Sequence, residues 1–224
     1  MSGWATYIGA WALFLLTHAV PVRPPVKPWL VARLGPVGYG AAYSALSLGV
    51  LAGLFIAAAR APYVPLWPMP VAAHWIALAT ILPAVALLSL TLGRPNPFSF
   101  GGANNDRFDP QRPELMGRIR HPVLAALGLW AGAHLIVNGA LAHALMFGGF
   151  AAFAALGIWL IDRRKQREMG ATAWQDLRRR SRSARVTLPP QAGGRLAAGV
   201  IVTCALIASH HWLSGVVIWP RFLP

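Results

Sequence analysis

Residues 118–139 read RIRHPVLAALGLWAGAHLIVNG. Arg118, Arg120 and His121 come first, Pro122 follows, and the stretch is then apolar up to Asn138-Gly139. Proline suits the first position of a helix, where its missing N–H would be unpaired in any case. The pattern therefore predicts a helix over 122–137 with a basic entrance and a polar stop. An apolar helix entered through cations has the form of a membrane span, and it sets the reading of the rest of the chain. His134 lies inside it, thirteen residues after His121, so ~20 Å further along the axis. At ~100° per residue the two rings point to nearly opposite sides, and they do not serve one metal together.

The surrounding sequence has the same character. The chain of 224 residues is 56% hydrophobic and 12% charged, with a mean hydropathy of +0.52; a soluble domain carries about twice that charged fraction. Several apolar runs approach the ~20 residues that cross a bilayer core. The fold class predicted is all-α: a polytopic integral membrane protein forming a single transmembrane domain over residues 1–224. Its six expected spans lie at 4–22, 39–59, 71–92, 122–137, 140–161 and 196–218. Pro83 is expected to kink the third.

Cations fall in alternate connections. Loops 23–38, 93–121 and 162–195 hold three, five and ten Lys or Arg, whereas 60–70 holds one and 138–139 none. The positive-inside rule then places both termini outside and the three basic loops in the cytoplasm. No Lys or Arg precedes Arg23, so the first span lacks the basic start of a cleavable signal and reads as a retained helix. The net charge of +14 would otherwise suggest a nucleic-acid partner. Its distribution is what topology demands, so the lipid bilayer is the expected partner and nucleic acid is not. The helical part of the basic segment 162–195 is expected on the inner leaflet, drawn by anionic lipid. Only Lys27 and Lys165 among the cations are lysine, an arginine bias that with abundant alanine suggests a GC-rich bacterial source, so the expected location of the spans is a bacterial inner membrane. With Cys204 the one cysteine, no internal disulfide forms.

The acids are Asp106, Asp109, Glu114, Asp162, Glu168 and Asp176, all in connections read as cytoplasmic. Without a carboxylate in a span, intramembrane proton relays, paired-acid hydrolysis and a serine triad lack their parts. Histidine is the chemistry left in the bilayer: His18, His74, His134, His143, His210 and His211. For any one of them the alternative is a neutral residue bonded to a neighbouring helix. His18 closes a stripe with Trp4, Tyr7, Trp11 and Phe14 at helical spacing. A flat aromatic wall ending in imidazole suits a porphyrin face and its axial ligand; a helix-packing seam is the other reading. On the fourth span Trp130, His134 and Asn138 share a face, which places Asn138 to orient the His134 ring. His18 lies fourteen residues from the outer start of its span and His134 twelve from the inner start of its own. Those are depths of ~21 and ~18 Å, so in a core of ~30 Å the levels differ by about 9 Å, which speaks against pairing them.

The chain resembles the NnrU family, which includes plant and cyanobacterial 15-cis-zeta-carotene isomerase. The resemblance is carried by Thr17-His18, Pro21, Arg23-Pro24, the turn Gly93-Arg94-Pro95-Asn96-Pro97-Phe98 and Arg120-His121-Pro122. It continues through Leu129-Trp130, Ala133-His134-Leu135 and Asn138-Gly139. It implies haem b held by two histidines, matching His18 and His134, with a redox-linked ligand change that frees iron for cis-to-trans isomerisation. The NnrU branch itself is associated with nitrite and nitric oxide metabolism. Around the iron ligands the expected cofactor-binding residues are Trp11, Phe14, Trp130 and Asn138, with Arg120, His121, Arg94 and Arg23. A lipophilic substrate and an unidentified electron donor are the partners such chemistry implies.

A second resemblance is to isoprenylcysteine-type membrane methyltransferases, in which an Arg-His-Pro motif helps bind S-adenosylmethionine. Arg120-His121-Pro122, Glu168, Gly170 and Trp174 echo it, but the basic run Arg163-Arg164-Lys165 stands where an acidic pair is expected. Arg120-His121 also suits an anionic group, such as a haem propionate or a lipid phosphate, or an interfacial anchor. A structural membrane protein without a cofactor is the third reading.

Overall fold

The computed structural model describes residues 3–68 and 70–214. Their order is α1 (Gly3–Ala19), α2 (Val26–Arg60), α3 (Val71–Thr91), two 3-10 turns (Asn105–Arg107 and Glu114–Gly117), α4 (Pro122–Val137), α5 (Leu141–Met169), α6 (Ala171–Ser183) and α7 (Ala192–Ser214). The architecture is all-helical, and among the described residues α2, α3, α5 and α7 are long and apolar enough to cross a bilayer. α1 has 17 residues and α4 has 16, lengths of about 26 and 24 Å. Residues 215–218 of the last expected span lie outside the described residues.

Two compact units divide the chain, residues 1–67 with 139–146 and residues 68–138 with 147–224. In the first, α1 packs on α2. The Tyr7 hydroxyl donates to the carbonyl of Ala142 at 2.8 Å, which ties α1 to the first turn of α5. α2 starts thirteen residues before the expected span because a short helical segment precedes a break at Gly35 (φ 69°, ψ 166°). Pro36 disfavours helical geometry in the residue before it, and glycine accepts the left-handed φ at low cost. Gly139 begins the polypeptide's return: its carbonyl accepts from Leu66 N–H at 2.7 Å. A Cβ built on it would overlap the Trp67 carbonyl oxygen, so no larger residue fits the approach.

In the second unit α3 packs on α4 and on α7. Ala84, Leu87 and Ala126 form its buried cluster, covered by Leu88, Leu115, Ala125 and Leu129. Small residues on facing helices permit this close approach where lipid supplies no hydrophobic drive. Gly157 meets Leu124, and Gly199 lies directly against Ser89. Arg195 anchors the start of α7 by donating to the carbonyls of Ser89, at 2.7 Å, and Leu92; the first is an end-of-helix carbonyl of α3 that no helical N–H satisfies, and the second belongs to the residue that follows the helix. Leu82, Leu156, Ile201 and Leu206 remain exposed on the long helices, the arrangement expected of surfaces that face lipid.

α3 runs through Pro83 as one helix. α5 differs from expectation more clearly. It does not stop at the first charges but continues through Asp162 to Met169, since charge marks where apolar surface ends and Arg, Lys, Gln and Glu all favour helix.

Candidate functional site

His18 occupies the last turn of α1. A carbonyl can only accept, so the 2.8 Å contact between His18 Nδ1 and the Phe14 carbonyl makes Nδ1 the protonated nitrogen and leaves the Nε2 lone pair free of that bond. The ring stacks on Phe14 with centroids 4.1 Å apart and meets Tyr43 edge-on at 6.2 Å. Trp11 in turn meets Phe14 edge-on at 5.6 Å. Tyr7 and Phe14 are buried, so part of the aromatic stripe packs into the unit, while Trp11 and His18 remain partly open. Arg23 lies on the exposed link after α1.

His134 repeats this local arrangement in the second unit. Its Nδ1 donates to the Trp130 carbonyl one turn back, again at 2.8 Å. The Trp130 and Phe147 rings lie 4.7 and 5.0 Å from its own. Asn138 Nδ2 donates to the main-chain carbonyl of His134 at 2.6 Å; it closes the end of α4, and the Trp130 carbonyl is what fixes the ring. The His210 ring of α7 lies 6.5 Å from that of His134, a proximity that helical periodicity within one segment does not reveal.

At the opposite end of α4 the turn and the entrance form one structure. Asn96 donates through Nδ2 to the Arg120 carbonyl at 2.9 Å and accepts the Phe98 N–H through Oδ1 at 3.1 Å. Arg94 forms a two-pronged pair with Glu114. Arg120 Nη2 lies 2.7 Å from Asp162 Oδ2, and His121 Nε2 lies 2.9 Å from Asp162 Oδ1. His121 is 4% exposed. Burial pushes its pKa below the usual value, and the Arg120 charge adds to this against the opposing pull of Asp162. The neutral ring satisfies both neighbours: Nε2–H donates to Asp162, and Nδ1 accepts from the Ser99 hydroxyl at 3.0 Å. Arg120 and His121 are therefore brought together with Asp162, ~20 Å along α4 from His134.

The sequence expectations did not include Asp162 or Ser99 at this site. Counting outward from the turn between α4 and α5 brings Asp162 only to within about one helical turn of the level of Arg120, so residue spacing alone gives a weak signal. Of the residues echoing a methyltransferase, Trp174 is buried with the Arg120 guanidinium over its ring at 5.8 Å. Glu168 pairs on the surface with Arg164 and Lys165. Among the described residues no three His, Cys, Asp or Glu side chains gather as a metal cluster. A haem asks less of the protein, one or two axial nitrogens. At His18 and at His134 alike a backbone carbonyl holds Nδ1, one of the ways in which ligating histidines are oriented.

A family model described as NnrU protein matches residues 6–218. No curated protein and no solved structure matches the chain.

Proposed function

Because the chain belongs to the NnrU family, we propose that it is a six-span bacterial inner-membrane protein that binds haem b through His18 and His134. The observation that carries this reading is the matched geometry of the two histidines. Each donates Nδ1–H at 2.8 Å to the carbonyl of an aromatic residue four positions earlier and packs on that residue's ring. Hydrogen bonding at Nδ1 raises the basicity of Nε2 and holds it in one direction. His18 and His134 would hold haem b, which when bound would supply a one-electron iron centre. Trp11, Phe14 and Trp130 supply apolar surface, and Asn138 secures the backbone under His134.

The use inferred from the family resemblance is redox-gated cis–trans isomerisation of a lipophilic polyene, with support of nitrite and nitric oxide metabolism as the second use. The apolar faces exposed on the long helices suit a substrate that arrives from lipid. Redox-dependent conversion of a cis-polyene by the purified protein supports the first. No conversion, together with a Soret shift on adding nitric oxide, supports the second.

His210 provides a specific alternative ligand, because it lies beside His134 within one unit. Oxidised and dithionite-reduced absorption spectra of wild type, His18→Ala, His134→Ala and His210→Ala test the assignment. Loss or shift of the Soret band in the first two variants supports it. Loss in His210→Ala with a normal band in His18→Ala replaces His18 by His210, and no band in haem-replete wild type removes the haem.

A further inference from the structure

Beside the Arg120–Asp162 pair, the second unit holds a cavity of about 260 Å³. Its floor is buried: Phe98 is 0% and Met116 1% exposed, and Ser181 is also buried. Four arginines line it, and the fold draws them from two segments, the link 118–121 and α6. Arg118 follows the second 3-10 turn, Arg120 precedes α4, and Arg178 and Arg182 stand four residues apart on one face of α6. The turn is pressed onto α6. A Cβ on Gly117 would lie 2.6 Å from the Ser181 carbonyl, and Arg118 Nη1 donates to the Arg182 carbonyl.

The cations greatly outnumber the acids here. Asp162 pairs with Arg120, and the α6 acid, Asp176, pairs with Arg179 and Arg180. Among the described residues no carboxylate forms an ion pair with Arg118, Arg178 or Arg182. The Arg178 and Arg120 guanidiniums both lie over Trp174, at 5.3 and 5.8 Å. Burial lowers the Arg178 pKa from its ordinary value; among the neighbouring charges Arg120 and Arg182 add to this, and Asp162 opposes it. A topological signal needs positive charge in a loop but does not need like charges to converge on one cavity. Convergence of four guanidiniums on the single carboxylate of Asp162 leaves mutual repulsion, and a bound anion reverses that cost.

We propose that this cavity binds a phosphate group, which accepts N–H donors from Arg118, Arg178 and Arg182. Guanidinium forks match phosphate oxygens two at a time. The volume is below the ~300–1,000 Å³ of drug-sized ligand sites and suits a headgroup-sized anion. The source is either the phosphodiester of an anionic membrane lipid or a free phosphate.

The test uses the full-length protein in detergent at constant ionic strength. Thermal stability is followed while inorganic phosphate is titrated in one arm. In a second arm the micelles are doped with phosphatidylglycerol, or with phosphatidylcholine as the zwitterionic control. Saturable stabilisation by phosphatidylglycerol alone identifies a lipid headgroup, and by inorganic phosphate a free anion. In Arg178→Gln/Arg182→Gln the apparent affinity falls by about 10-fold or more, the scale of a charge-assisted hydrogen bond. In the exposed control Arg107→Gln/Arg112→Gln, which removes equal charge, it changes by less than about 2-fold. If the first variant does not fold, Arg182→Lys keeps the charge without the fork and weakens binding about 3-fold. No saturable response in either arm overturns the proposal, as does equal weakening in the cavity variant and the control.

Discussion

The Nε2–H of His121 donates to Asp162 at 2.9 Å, joining the entrance of α4 to the far part of α5. The same carboxylate holds Arg120. One acid therefore neutralises a cation and orients a buried imidazole, and its removal breaks both links.

Asp162→Ala leaves Arg120 without its partner and His121 without an acceptor. Both carboxylate and guanidinium are partly solvated, so the cost is set below that of a fully buried pair, at about 1–3 kcal/mol. Thermal unfolding in detergent should fall by several degrees. Asp162→Asn, which still offers His121 an oxygen, should fall by less.

The His121 pKa is lowered in the folded protein, so its contribution to stability is complete above the unfolded value of about 6.5. As pH falls below that value the unfolded ring takes up a proton that the folded ring resists, and stability is lost until the folded pKa is passed. Melting temperature measured from pH 8 to pH 5 should therefore fall more for wild type than for His121→Gln. Parallel curves would contradict this account.

Gly139→Ala should be among the more damaging single substitutions. Its Cβ would overlap the Trp67 carbonyl oxygen, and backbone cannot rotate away as a side chain can. Overpacking costs about 1–3 kcal/mol, readable as lower yield and a lower melting temperature.

Arg195→Ala removes donors to the Ser89 and Leu92 carbonyls. The expected loss is about 1–2 kcal/mol. Arg195→Lys should recover part of it, because one ammonium cannot reach both carbonyls with a planar fork.

Local features of this fold were legible in the sequence. Pro122 and Asn138 bound α4 at the expected 122–137, because a first-turn proline and a polar end act within a few residues. The helical break at Gly35 followed from no apolar count, since Gly35-Pro36 interrupts the backbone without interrupting hydrophobicity. Asn96 reads as a turn residue and Ser99 directly follows that turn, yet they bond Arg120 and His121 across more than twenty positions. Only packing creates that relation. The aromatic–histidine spacing of 14/18 and 130/134 was visible; the carbonyl bond that fixes each ring was not, because a side-chain rotamer decides it. His210 beside His134 likewise required the α7 register.

The central claim is that His134 ligates haem iron, and the Soret absorbance per chain tests it most directly. Wild type, His134→Ala and the control His211→Ala are purified from haem-replete cells and compared at equal protein concentration. The account predicts a Soret band in wild type and in His211→Ala, lost or displaced in His134→Ala. A wild type without the band, or a His134→Ala spectrum indistinguishable from wild type, would contradict it.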